Sequence, residues 1–333
     1  MKLIIQIPCY NEEQTLGVAL DALPRQVPGV DEVEVLIIDD GSADRTVEVA
    51  REHGADHVVR LASNQGLARA FMAGLEACVR LGADVIVNTD ADNQYCAEDI
   101  PKLVEPVVAG RADMVIGARP ISQTEHFSAV KKFLQKLGSG VFRKVSRTTV
   151  PDAPSGFRAI SRAAAMRLNV FNPYTYTLET IIQAGHSGMD VVSVPIRTNP
   201  ELRPSRLFKS IWSYVRRSMV TIFRILIVYR PMRTFAWLGL IPFLLGCGLM
   251  ARWLILRVFF FETYTSRTPS LVAAAVLALS GVQLWIFAIV GDLLATNRKL
   301  LEEVQFRLRR RDAGDEPGGG QEPAGTDHPG PES

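Results

Sequence analysis

Asp90 closes an apolar run that reads DVIVNTD over 84–90, and Asp92 follows it two residues on. Two carboxylates at i and i+2 on a turn converge readily on one hard cation. Mg²⁺ or Mn²⁺ takes such oxygen ligands and keeps positions open for phosphate oxygens. Gln94 adds a neutral oxygen ligand. A cation held there would neutralise the charge that develops on a leaving diphosphate. A lone D-x-D is more often a solvated turn, but a second acidic turn, Asp39-Asp40-Gly41-Ser42, ends another apolar run. One of its aspartates would accept hydrogen bonds from a base or a ribose; alternatively, the turn serves only to cap the next helix through Ser42 or Asp44. Pro8-Cys9-Tyr10-Asn11-Glu12-Glu13 likewise reads as a loop entering a helix, or as a place where a tyrosine and an acid meet a nucleoside. No G-x-G-x-x-G and no G-x-x-x-x-G-K-[ST] stands at a strand end, so dinucleotide and P-loop binding lose support.

These segments share a position relative to the elements that carry them. Short runs rich in Val and Ile, LIIQI (3–7), VEVLIID (33–39), HVVRL (57–61), DVIVNTD (84–90) and DMVIGA (113–118), alternate with helical patterns such as Leu67 to Leu81. Runs without polar alternation suit strands buried on both faces, and strand–helix repetition predicts an α/β fold with a mostly parallel sheet. Ligands of such sheets bind beyond the C-terminal strand ends. That edge holds Pro8–Glu13, Asp39–Ser42, Asp90–Gln94 and Arg119. From about 120 to 200 the pattern loosens, with helical stretches at Ala129–Val145 and Leu178–His186 and a strand-like VVSVPI at 191–196.

A hydrophobic fraction of 47% with 22% charged residues supports a sizeable core in a chain of 333 residues, and a net charge of +2 argues against a nucleic-acid binder. Cys9, Cys78, Cys96 and Cys247 are scattered, which predicts free thiols rather than a zinc site or disulfides. The N-terminus enters a strand run without a basic n-region and long h-region, so no signal peptide is expected and the first domain should remain cytoplasmic.

From Ser205 to Tyr229 a helical pattern mixes Trp212, Tyr214, Phe223 and Ile225 with Arg216, Arg217 and Arg224, as a segment lying in a membrane interface does. Two apolar spans follow, at about 235–258 and 270–294, each long enough for a hydrocarbon core of about 30 Å. Arg252 and Arg257 are placed to snorkel to the far headgroups. The linker Glu262–Thr268 makes a hairpin, and the flanking Arg230, Arg233, Arg298, Lys299 and Arg309–Arg311 place both ends in the cytoplasm. The expected division is therefore a catalytic domain over 1–204, an interfacial segment over 205–233, two transmembrane helices within 234–295 and a disordered Gly/Pro/Glu-rich tail over 312–333. The chain is predicted to be a multi-pass protein of the cell membrane.

IPCYNEE (7–13), IIDDGSADRT (37–46), NQGLARA (64–70), DADNQY (90–95), GAR (117–119) and DAPSGFRA (152–159) carry a resemblance. In this order they resemble the family 2 glycosyltransferases, in particular the subgroup that includes dolichol-phosphate mannose synthase and bacterial polyprenyl-phosphate sugar transferases. The resemblance spans about residues 1–210, and the hairpin matches the anchored members.

It implies a GT-A fold and inverting transfer from a UDP- or GDP-sugar donor to a polyprenyl phosphate acceptor, with Mg²⁺ or Mn²⁺ as cofactor. Carried over, Pro8, Tyr10, Glu12 and Asp40, with Asp39, Arg69 and Ala91, would hold the nucleotide sugar; Asp90, Asp92 and Gln94 would serve the metal and diphosphate. Arg119 would meet the acceptor phosphate. The segment RPSRL (203–207) resembles a loop that clamps donor and acceptor charges through Arg203 and Arg206, although it lacks that loop's glycine and has Arg206 for lysine. Lys132 and Lys136 occupy positions where the family has an Arg and a Ser for the acceptor phosphate. A phosphate monoester is largely dianionic near neutral pH and needs no general base. Asp152 would act as base only for a hydroxyl acceptor, or would merely hold the Ser155–Arg158 loop. Two alternatives stay open: a non-processive transferase with a sugar-hydroxyl acceptor, and a non-catalytic nucleotide-sugar-binding membrane subunit. Oligomeric state, including a homo-oligomer, is likewise open.

Overall fold

The computed structural model describes residues 1–120, 148, 150–170, 176–200, 220, 223–224, 226–259 and 268–314. Seven strands form one sheet: β1 (Lys2–Cys9), β2 (Glu32–Asp39), β3 (His57–Arg60), β4 (Val85–Asn88), β5 (Met114–Ala118), β6 (Arg158–Ser161) and β7 (Val191–Pro195), in the order β3-β2-β1-β4-β6-β5-β7. All pairings are parallel except the two made by β6, which runs antiparallel between β4 and β5. The five expected apolar runs become β1 to β5, and VVSVPI becomes β7. The strand β6 has no counterpart among the expected runs.

The sheet is covered on both faces, which is why its strands are apolar throughout. Leu3, Ile5 and Ile7 of β1 join Leu16 and Leu20 of α1 (Leu16–Asp21), Ala50 of α2 (Thr46–Glu52) and Leu103 of α4 (Ile100–Val108) in one core. Ile4 points the other way, with Phe71 and Leu75 of α3 (Leu67–Arg80), Ala164 of α5 (Arg162–Arg167) and Ile181 of α6 (Tyr176–His186). Strand order runs outward from β1 in both directions, to β2 on one side and β4 on the other. The crevice beyond the C-terminal ends of β1 and β4 is thus the switch point where such sheets bind ligands.

Two long helices follow, α7 (Pro231–Phe259) and α8 (Thr268–Asp312), both long and apolar enough to cross a membrane. Only 11% and 17% of their most apolar windows is buried, so they are not packed as core helices of a soluble domain. They lie against each other through small residues. A Cβ at Gly246 would stand 2.6 Å from the backbone nitrogen of Ala278 and 2.7 Å from the carbonyl oxygen of Ala274. Backbone atoms cannot yield as a side chain tip can, so Gly246→Leu is expected to force the helices apart and cost about 1–3 kcal/mol. Unfolding of detergent-solubilised protein would register this as a lower midpoint; an unchanged midpoint would refute the close packing. The expected interfacial segment lies largely, and the tail beyond residue 314 wholly, outside the described residues.

Candidate active site

The loops that follow β1 and β2 are stapled to each other by backbone N–H groups that donate to side-chain oxygens. Asn11 N donates to Ser42 Oγ at 2.9 Å, Glu12 N to Thr46 Oγ1 at 2.9 Å, and Ala43 N to Asn11 Oδ1 at 2.9 Å. Asn11 adopts φ 54°, which asparagine tolerates better than most residues. Gly41 has φ 74°, and a Cβ there would meet the backbone of Ser63 and Asn64 at 2.7–2.8 Å. Pro8 and Cys9 end β1, both buried, while Tyr10 is left 43% exposed with no role in the core.

The neighbouring aspartates divide their work. Asp40 Oδ1 and Oδ2 accept from Gln65 N and Gly66 N, both at 2.8 Å, and so fix the entry to α3. Asp39 Oδ1 accepts from Ser42 N at 2.9 Å. Its Oδ2 is buried and accepts no hydrogen bond among the described residues, although Arg60 Nε lies 3.1 Å away as an ion-pair partner. Arg60 thus balances its charge without an aligned hydrogen bond, which leaves this oxygen free to accept one. Arg69 is exposed on the first turn of α3, and Glu12 Oε2 accepts from Thr15 Oγ1 at 2.8 Å.

Beyond β4, Asp90 and Asp92 share one pocket of charge. Burial, then repulsion from Asp92, raises the Asp90 carboxyl to about 6, against the pull of Arg119, Tyr95 and Arg158. Ala91 between them is buried, and Asp92 Oδ1 accepts from Gln94 N at 3.1 Å. Among the described residues no group of three or more His, Cys, Asp or Glu could hold a metal. Two carboxylates close enough for Asp92 to raise Asp90 nevertheless fit Mg²⁺ or Mn²⁺, which typically keep waters and substrate phosphates as their other ligands.

A buried polar frame supports this pair, and it includes residues that sequence reasoning did not single out. Asn88 Oδ1 accepts from Gln6 Nε2 at 2.9 Å, and Asn88 Nδ2 donates to Gly156 O at 2.8 Å and to Tyr176 OH at 3.2 Å. Gly156 N donates to Tyr95 OH at 3.0 Å. A Cβ on Gly156 would come within 3.0 Å of the Asp90 carboxylate, so only glycine lets the Asp152–Gly156 loop approach. Arg158, fully buried and lowered to about 10 by desolvation, braces that loop through Ser155 O at 2.8 Å, Ala153 O at 2.9 Å and Thr180 Oγ1 at 2.6 Å. The only sequence signal for this frame was the arginine of SGFR and the tyrosine of DADNQY.

Arg119 at the end of β5 is held by a bidentate fork: Nε to Asp152 Oδ2 at 2.8 Å and Nη2 to Oδ1 at 3.0 Å. Its backbone N donates to the same carboxylate at 3.2 Å. The guanidinium is about one third exposed while Asp152 is 3% exposed, so the pair presents the cation and hides the anion. Lys132, Lys136, Arg203 and Arg206 lie outside the described residues.

Asp99, just before α4, is tied to Arg197, just after β7. Burial alone would raise its carboxyl, but hydrogen bonds from Arg197 and Lys102 outweigh this and lower it to about 2. Its stabilisation is thus present above the ordinary carboxylate value of about 4 and is lost as pH falls toward 2. Asp99→Asn is expected to cost about 1–3 kcal/mol at pH 7. The difference from wild type should shrink below pH 4; a gap that persists at pH 2 would refute the assignment.

A mixed sheet of this order, with paired aspartates past its fourth strand and a second acidic turn across the switch point, is a GT-A catalytic fold. The chain matches the glycosyl transferase family 2 over residues 4–168. It is 30% identical over 216 residues to a polyprenol monophosphomannose synthase of Mycolicibacterium smegmatis, covering 61% of this chain and 80% of that protein. It is 31% identical over 206 residues to an undecaprenyl-phosphate mannosyltransferase of Micrococcus luteus, covering 59% and 83%. In structure it resembles glucosyl-3-phosphoglycerate synthase of Mycobacterium tuberculosis in complex with Mn²⁺, UDP-glucose and phosphoglyceric acid, with a TM-score of 0.51 at 20% identity over 66% of this chain and 79% of that one. The chain belongs to glycosyl transferase family 2 and is a glycosyltransferase.

Proposed function

We propose that this enzyme transfers a sugar from a nucleoside diphosphate donor to a polyprenyl phosphate held in a membrane. The observation that carries the reading is the fork from Arg119 to Asp152, which aims a partly exposed guanidinium along the same edge as Asp90 and Asp92. Both named relatives act on polyprenyl-type phosphates, which supports that acceptor here. A phosphate dianion is already a nucleophile, so this chain's task is to bind, orient and exclude water. Asp39, whose Oδ2 has the Arg60 ion pair but no hydrogen bond among the described residues, is read as the nucleoside acceptor; Asp40 is committed to the scaffold. Tyr10 would cover the base, and Pro8, Glu12, Arg69 and Ala91 would complete the donor cradle. Asp90 and Asp92, with Gln94, would hold Mg²⁺ or Mn²⁺, which supplies charge neutralisation for the departing diphosphate. Arg203, Arg206 and Lys132 complete the acceptor-phosphate site in this reading.

The same reading makes α7 and α8 a transmembrane hairpin with the catalytic domain and both chain ends in the cytoplasm. Cysteines placed at Thr265 and Ser333 are then expected to show opposite accessibility in sealed cells, and equal labelling of both would sink it. The acceptor is tested by incubating detergent-purified protein with radiolabelled UDP- and GDP-sugars and a polyprenyl phosphate, then extracting lipid. Label should appear in the lipid phase with one donor class. Equal transfer to polyprenols or soluble sugars would refute the phosphate acceptor.

A further inference from the structure

The helix α8 does not stop where its apolar part ends. It continues unbroken to Asp312, so the charged stretch 295–312 projects about 27 Å beyond the apolar span at roughly 1.5 Å per residue. Two arginines on that stretch grip the catalytic domain. Arg298 donates from Nη2 to Tyr229 OH at 2.9 Å, lies 3.7 Å from Glu179 and is tied to Glu302 at 2.7 Å. Its guanidinium stands 4.7 Å from the centre of the Tyr229 ring, just before α7 begins. Arg309 donates to Leu168 O at 2.7 Å and from Nη2 to Glu76 at 3.1 Å. Between them Phe306 packs against the core of that face, under the guanidinium of Arg167 at 4.8 Å.

Glu179 sits less than one turn from Tyr176, whose hydroxyl meets Asn88 at the ligand edge of the sheet. Leu168 follows α5, which begins at the opposite edge, where Arg162 N donates to Asp84 O at 2.9 Å. Arg298, nearer the apolar span, holds α6 through Glu179, with Tyr229 reaching on to His186 at the other end of that helix at 5.8 Å, and Arg309, about 16 Å further along α8, holds Leu168 and Glu76. One attachment would leave the domain free to swivel; two on a continuous helix set its tilt.

We propose that residues 295–312 form a strut that fixes the tilt of the catalytic domain relative to the bilayer, with Arg298 and Arg309 as positioning residues for a membrane-embedded acceptor. This rests on the polyprenyl phosphate reading.

The test compares full-length polyprenyl phosphate in phospholipid vesicles with a short, water-soluble polyprenyl phosphate, using full-length protein reconstituted in both cases. Arg298→Ala and Arg309→Ala are expected to raise the apparent KM for the embedded acceptor by about tenfold, while kcat/KM for the short acceptor stays within about twofold of wild type. Glu179→Gln, which removes the ion pair with little change of volume, should give the same split and covers the case in which Arg298→Ala folds poorly. Equal losses on both acceptors would show that the contacts serve only the fold, and unchanged KM for both would show that the strut is idle; either overturns the proposal. Wild-type protein inactive on both acceptors would instead overturn the acceptor reading, and this inference with it.

Discussion

Asp92→Ala is expected to lower the transfer rate by about a thousandfold, the scale of several kcal/mol of transition-state charge stabilisation. Exhaustive chelation should do the same to wild-type protein, and Mg²⁺ or Mn²⁺ should restore it. The substitution tests chemistry rather than folding, because Asp92 is only partly buried and its hydrogen bond is to Gln94 N in its own turn. Thermal stability should therefore change by no more than about 0.5 kcal/mol. Asp90 is the less clean site for the same experiment, since it faces Gly156 and the buried frame. It offers a second readout instead. A proton and a cation compete for its carboxylate, which burial and Asp92 raise to about 6, so Mn²⁺ affinity measured by calorimetry should weaken as pH falls through that value. Full activity in Asp92→Ala, or after chelation, would remove the metal from the proposal.

The ligand edge was legible because the parallel strands announce themselves as unbroken apolar runs, and their C-terminal turns collect Asp39, Asp40, Asp90, Asp92 and Arg119 in the sequence. What hid was everything decided by tertiary pairing. The strand β6 is four residues, RAIS, with Arg158 fully buried; a buried arginine reads as polar and breaks the pattern a strand should show. Its antiparallel place between β4 and β5 is set by long-range pairs such as Asn88 with Arg158, seventy residues on, which no local period reports. Asn88 and Tyr176 look like ordinary core-edge residues until Gly156 is seen to bring the loop against Asp90. The span ending near Leu294 was read from hydropathy, which falls once Arg298 is reached, whereas the helix persists through i,i+4 pairs such as Arg298–Glu302 and Glu303–Arg307. Those pairs stand in the sequence and were open to counting.

Asp152→Asn distinguishes the two acceptor chemistries. With a phosphate acceptor, Asp152 acts through Arg119: it fills the guanidinium fork on one side and leaves the exposed side to the substrate. The amide cannot accept both bonds, so Arg119 loses its fixed orientation, and kcat/KM for polyprenyl phosphate should fall about 10- to 100-fold. That corresponds to roughly 1.4–2.7 kcal/mol, the range of a charged hydrogen bond. Arg119→Lys keeps the charge but not the planar fork and should cost a similar factor, with donor binding unchanged in a nucleotide-sugar titration. Because one residue works through the other, the double variant should be no worse than the poorer single variant by more than about 0.5 kcal/mol. A general base would behave differently. Its loss costs about 10²- to 10⁴-fold, abolishes the acidic limb of the pH–rate profile, and adds to the loss from Arg119→Lys. Asp152 is almost fully buried, so its substitution will also lower stability by about 1–3 kcal/mol, and rates belong well below the measured midpoint. Losses that multiply in the double variant, together with a vanished acidic limb, would transfer Asp152 to the role of base and the acceptor to a hydroxyl.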